Sequence, residues 1–243
     1  MELQAMTSDV GTTANGELLL FSAGLDSFPA WHFLGKPPAL YFDSGHYGRQ
    51  QEIDTVRTLA AAHGMDLEVS AELDLSARAT VQGDLIPFRN VLFAMLAAFR
   101  ADVIWCIGVK GDHTADKSPE AFARMSDVLT EFAGRPIRVD SPFWDKTKTE
   151  IVAWYLAAGL PVDALLQTLS CATPGDAFVH CGRCPSCLRR WIALVNNGIT
   201  GTFAHDPWTW ERVAGYYVPA MAEGRYPPHR VEEFQRAMST VAP

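Results

Sequence analysis

Leu18-Leu19-Leu20-Phe21-Ser22-Ala23-Gly24-Leu25-Asp26-Ser27 joins four apolar residues to a small, polar turn. The apolar run fits a strand buried on both faces, the habit of parallel sheets. Small residues in the turn let backbone N–H groups come close to an anion, and the Ser22 and Ser27 hydroxyls add donors. A helix can begin near Ser27, because Pro29 then falls in its first turn. No G-K-[ST] follows, so the turn is not a Walker A loop. A plain strand-to-helix turn capped by Ser and Asp is the competing reading of the same string.

Working outward, the pattern repeats. Ala39-Leu40-Tyr41-Phe42 is a second buried run, and residues 50–62 put Ile53, Val56, Leu59 and Ala60 at helical spacing. A helix is expected from Asn90 to about Arg100, and a strand over Val103–Ile107 that Gly108 closes. Helices over 120–132 and 147–158 flank a strand at 137–139. This alternation predicts an α/β fold with a doubly wound parallel sheet. Ligands on such sheets sit beyond the carboxyl ends of the strands. Here those ends are Ser22–Ser27, Asp43–Gly48, Gly108–Ser118 and Asp140–Glu150.

Composition excludes some classes. The 243 residues suit one α/β domain with an appended piece, and 48% apolar residues suffice for a core. No apolar run approaches the roughly 20 residues needed to span a bilayer. No basic stretch followed by an apolar one opens the chain, so no secretory leader and a cytoplasmic location are expected. A net charge of −8 argues against general nucleic-acid binding, and so against a zinc-finger reading. Four of the five cysteines, Cys171, Cys181, Cys184 and Cys187, form a C-x9-C-x2-C-x2-C run. Four thiolates satisfy tetrahedral zinc, which would be closed and structural. Free buried thiols and an iron–sulfur cluster are the alternatives. Cys106 reads as core and His180 as a bystander.

The turn resembles the S-G-G-x-D-S signature of PP-loop ATP pyrophosphatases. That resemblance implies that Phe21, Ser22, Ala23, Gly24, Leu25, Asp26 and Ser27 surround the ATP pyrophosphate and its magnesium, with Asp26 and Ser27 catalytic. Ala23 stands where the family has its first glycine, a departure that is tolerable if this position is not left-handed.

The loop and the cysteine box together are similar to those of the 7-cyano-7-deazaguanine synthase family, over roughly residues 17–196. Its G-R-N element reads Phe88-Arg89-Asn90 here, its basic helix start Thr147-Lys148-Thr149-Glu150, and its zinc box Ser170-Cys171 with Cys181 through Cys187 and Arg190. His46 with Gln50-Gln51-Glu52-Ile53 matches a further helix start. The implied organisation is a flexible arm at 1–16, a PP-loop ATP-binding domain at 17–165, a helical zinc region at 166–197 and an aromatic, Pro-rich extension at 198–243.

The resemblance implies adenylation of 7-carboxy-7-deazaguanine by ATP, then amide and nitrile formation with ammonia. Lys148 is the expected phosphate clamp, with a solvated helix-start lysine as its bland alternative. Tyr41, Arg89 and Gly108 are further candidate ATP contacts. Arg89, Asn90, Asp112 and Lys117 are candidate substrate contacts, although Asn90 suits an N-cap equally well. The family's S-G-Y-P-D-C-R segment is replaced by Gly108–Pro119, and about 45 residues follow the zinc helix. Both departures fall on the acceptor side. One alternative is therefore a relative that couples the acyl group to a protein amine in anti-phage defence. Another is a degenerate nucleotide sensor. The density of aromatics in the extension suggests a homodimer or protein-partner surface, or a tail that folds back on its own domain.

Overall fold

Short apolar runs become the strands of one parallel sheet, ordered β3-β2-β1-β4-β5, in a computed structural model. It describes residues 16–46, 49–78, 86–112, 114–172 and 179–241. The expected arm lies outside them except for Gly16, as do Tyr47, Gly48, His113 and Thr173.

The central strand β1 (Glu17–Leu20) pairs with β2 (Ala39–Phe42) and β4 (Val103–Cys106). The edges are β3 (Leu67–Ser70) and β5 (Arg138–Asp140). The sequence reading missed β3. Only Leu67 and Val69 are apolar there, and only Ser70 is buried, so the edge strand carries a weak signal. Arg100 anchors this edge with ion pairs to Glu68 (2.8 Å) and Glu72 (3.0 Å).

Successive residues of β1 face opposite layers. Leu19 packs with α1 (Ser27–Phe33), α2 (Arg49–His63) and α5 (Lys148–Ala157), a layer built around Phe28, Trp31 and Tyr155. Leu18 joins the other layer, where Ala94 and Ala97 of α3 (Arg89–Ala97) meet Phe122 and Met125 of α4 (Pro119–Ala133). The small alanines let α3 lie close to the sheet.

Past α5 come α6 (Val162–Leu166), the cysteine box and α7 (Pro185–Val195). The extension then folds back on its own chain. Val213, Phe234 and Ala237 pack against Leu188 and Trp191 of α7. Its regular parts are a 3-10 turn (Pro207–Thr209), a π-helical turn (Val213–Tyr217), α8 (Val218–Ala222) and α9 (Pro228–Ser239).

Candidate active site

The chain runs from β1 outward to β3, then crosses back to β4 on the other side of β1. Such a reversal opens a crevice at the carboxyl ends of the strands. A cavity of about 510 Å3 lies there. Of the candidate site residues named from the sequence, Phe21, Ser22, Gly24, Leu25, Asp26, Ser27, Tyr41, Arg89, Asn90, Lys117 and Lys148 line it. Ala23, Gly108 and Asp112 do not. Gly108 is held by a two-way hydrogen bond with Ser141, and a Cβ there would run into the Trp144 ring.

The turn after β1 is held by its own hydroxyls. Ser22 Oγ and Ser27 Oγ lie 3.2 Å apart, and the Gly24 N–H donates to Ser27 Oγ (3.0 Å). The segment before the cysteine box clamps it from outside. Leu169 N–H donates to the Ala23 carbonyl (2.9 Å), and Leu25 N–H to Ser170 Oγ (3.3 Å). Ala23 has φ +53°, which overturns the condition set for it, because the position is left-handed after all. Phe88, where the related element has glycine, is left-handed too (φ +63°). Each strains an L-residue by about 1 kcal/mol, and the surrounding hydrogen bonds over-determine both turns. Phe88 also takes the helix-start position before α3, so Asn90 is not the N-cap. Asn90 instead gives its N–H to Asp116 Oδ2 (3.1 Å).

Lys148 opens α5 behind a capping box made by Thr147 and Glu150. It is not the solvated lysine of the bland reading, because its side chain is largely buried and ion-paired to Asp26. Burial lowers its pKa to about 8, against the opposing pull of Asp26. The second Asp26 oxygen, Oδ1, is buried without a hydrogen-bond partner among the described residues. Beside this pair, Asp112 faces Lys117 (3.1 Å), Arg189 (3.1 Å) and Arg230 (3.8 Å). Burial pushes the Asp112 carboxyl up, but Lys117, Arg189 and Lys148 outweigh it and hold it well below the carboxylate range.

At the end of β2, Tyr41 donates to Glu52 (3.1 Å), which also pairs with His46 (3.2 Å). Burial, then Glu52, pushes the Tyr41 hydroxyl well above its ordinary range. Arg89 forms no ion pair among the described residues. Cys106 is core, as expected, yet it also reaches the cavity wall.

The four cysteines of the box gather with all Sγ atoms within 4.8 Å of one another, a set that can hold a metal ion. Backbone N–H groups of Cys181, Arg183 and Cys187 donate to the sulfurs of Cys171, Cys181 and Cys184. Hydrogen bonds from Cys171 and Cys187 pull the Cys184 thiol well below its ordinary range. His180 stays outside the cluster, and its Nε2 accepts the Ser170 N–H (3.1 Å). That bond steadies the residue whose hydroxyl holds the Leu25 N–H.

Sequence reasoning missed Ser170, Ser186 and Arg189 as cavity residues. It quoted Arg190 only as part of a motif. Arg190 is 2% exposed and ties Thr168 Oγ1 (2.7 Å) to the Leu165 and Leu166 carbonyls. An arginine pair separated from Cys187 by Leu188 alone, within α7, was the available signal.

The family model of the queuosine biosynthesis protein QueC matches residues 17–198. A 7-cyano-7-deazaguanine synthase from Marinobacter nauticus is 27% identical over 229 residues, covering 81% of this chain and 98% of the relative. One from Chromohalobacter salexigens is 27% identical, covering 81% and 87%. One from Methanocaldococcus jannaschii is 32% identical over 139 residues, covering 53% and 60%. With the turn after β1, the Lys148–Asp26 pair and the four-cysteine cluster standing inside the matched span, the chain belongs to the QueC family.

Proposed function

We propose that this chain uses ATP to adenylate the carboxylate of 7-carboxy-7-deazaguanine and passes the acyl group to a nitrogen nucleophile. The observation that carries this reading is the hydroxyl-rich turn opening on a cavity whose wall holds the buried Lys148–Asp26 pair. A carboxylate is a poor acyl donor because its oxygen leaves badly, and attaching AMP gives a good leaving group. The carboxylate oxygen attacks the α-phosphorus, and pyrophosphate departs with the electron pair.

In this reading the Ser22 and Ser27 hydroxyls and the turn's backbone hold the departing pyrophosphate. Lys148 and Arg189 offset the charge building on it. Asp26 favours the charged form of Lys148, and its Oδ1, unpartnered among the described residues, would be available to hold the magnesium that accompanies ATP. Arg89, without a carboxylate partner among the described residues, is left for the nucleotide or the substrate acid, with Asn90 and Lys117 lining the same cavity. Zinc is the ion we assign to the cysteine box. Tetrahedral Zn–S bonds of about 2.3 Å put sulfurs about 3.8 Å apart, and Cys181 Sγ and Cys187 Sγ are 3.8 Å apart. The ion would supply structure only, fixing the segment that clamps the turn.

Incubation with ATP and 7-carboxy-7-deazaguanine should give AMP and pyrophosphate in equal amounts, read by nucleotide chromatography. ADP and phosphate as sole products would exclude adenylation.

A further inference from the structure

A second cavity, of about 250 Å3, lies behind the first. Lys148 and Arg189 line both and form the partition between them. The near wall is the start of α5, with Thr147 and Thr149, together with Leu188 and Ile192 of α7. The far wall is the extension, with Tyr217, Met221, Tyr226, His229 and Glu233. That far wall lies outside the span matched by the family model.

Two polar atoms in this lining lack partners. Thr149 is 6% exposed, and its Oγ1 is buried with no hydrogen bond among the described residues. His229 Nε2 is in the same condition. Buried polar atoms are seldom left so, and a water or a ligand is the usual partner. Four cations, Lys110, Lys148, Arg189 and Arg230, share the lining with one carboxylate, Glu233. A bound ammonium ion would be repelled there, whereas a neutral amine would not. Burial, followed by Lys110 and Arg230, lowers the His229 pKa, which leaves its imidazole neutral. Ammonia needs about the 30 Å3 share of one water. The cavity is far larger, and Leu188, Ile192, Met221 and the Tyr217 ring give it an apolar body.

We propose that this second cavity binds a small primary amine with an apolar body and delivers its nitrogen past Lys148 to the acyl carbon in the first cavity. The proposal rests on the adenylation reading above. The amine enters as its neutral free base. Its lone pair forms the C–N bond, and the C–O bond to AMP breaks. AMP leaves with the electron pair, the new nitrogen loses one proton to solvent, and the product is an N-substituted amide.

The test uses the full chain, with n-pentylamine as probe and pentanoate and ammonium as comparisons. Calorimetric titration should show saturable binding of pentylamine at one site and none of pentanoate. Met221→Trp, which fills the cavity from the extension side, should weaken pentylamine binding at least tenfold and leave pyrophosphate release unchanged. Thr149→Val, nearly isosteric, should weaken it several-fold, and it keeps the test open if Met221→Trp does not fold. With ATP and 7-carboxy-7-deazaguanine, mass spectrometry should find the pentyl amide. Binding of pentanoate instead, binding of neither, or pentylamine binding indifferent to both substitutions overturns the site. Pyrophosphate release without any pentyl amide overturns the delivery step. Pentylamine binding that both substitutions weaken, with no pyrophosphate released, leaves the amine site standing and removes the adenylation reading.

Discussion

The sheet unit and the C-terminal extension end on the same two side chains, Lys148 and Arg189, but they are held together by different means. In the sheet unit, strand ladders run through residues with no exposure, such as Leu19 and Ile104. The extension rests on one small apolar cluster and on scattered polar ties. Glu233 accepts from Thr147 Oγ1 (2.5 Å), Asn196 Nδ2 donates to the Glu233 carbonyl (2.9 Å), and Arg230 donates to the Gly111 carbonyl (2.8 Å). The difference teaches a direction of influence. Disturbing the sheet side should reach both cavities, whereas disturbing the extension should stop at the partition.

The largest effect should come from removing the cation of the partition. Lys148→Met is expected to cut pyrophosphate release at least ~100-fold, the scale of losing one charge-stabilising donor. Steady-state kinetics with ATP checks it, and a loss confined to the second cavity's ligand would reverse the comparison. Next comes Gly182→Val. Gly182 has φ +75°, and a Cβ there would collide with the His205 carbonyl. The substitution should lower stability by about 2–3 kcal/mol, seen as a lower denaturation midpoint, with the extension protected least in hydrogen exchange.

The pH dependence should sharpen the comparison further. Burial holds Lys148 at about 8, below its ordinary 10.5. The folded chain therefore gives up this proton before the unfolded chain does. Folding stability accordingly gains as pH rises from about 8 toward 10.5, while the phosphate-binding charge is lost over the same window. The kcat/KM for ATP should fall as pH passes 8, and Lys148→Arg, charged throughout, should abolish that limb. The smallest effect is a gain. Ala23→Gly and Phe88→Gly relieve left-handed strain and should each add about 0.5–1 kcal/mol net of the unfolded-state entropy of glycine. Denaturant titration reads it, and a loss of stability would show that these turns are not strained.

The strands were legible where burial on both faces forces continuous apolar runs, as at Leu18–Leu20 and Ala39–Phe42. β3 was not, because an edge strand buries so little. The turn and the cysteine box were legible as local strings. Their mutual clamp, Ser170 against Leu25, joins residues 145 positions apart and leaves no local pattern. Ala23 misled for a related reason. Alanine's reluctance to be left-handed is a local preference, and the hydrogen bond from Leu169 lies outside the reach of such a rule. Asp112 could be named from the sequence as a candidate substrate contact, but not its engagement by three cations from three parts of the chain. Arrangements of that kind follow from the packing of distant segments.

The approach of Gly182 to the His205 carbonyl has a consequence in time. The His180 carbonyl accepts the Ala204 N–H (2.8 Å), and His180 bridges Phe203, so the extension is sewn to the cysteine loop before its own helices begin. The seam can close only once the loop around the four sulfurs has its shape. The extension is thus expected to assemble last and to let go first. A protein refolded under chelation should recover its sheet while its C-terminal 40 or so residues remain open to protease, and adding the ion back should close the seam without unfolding the rest.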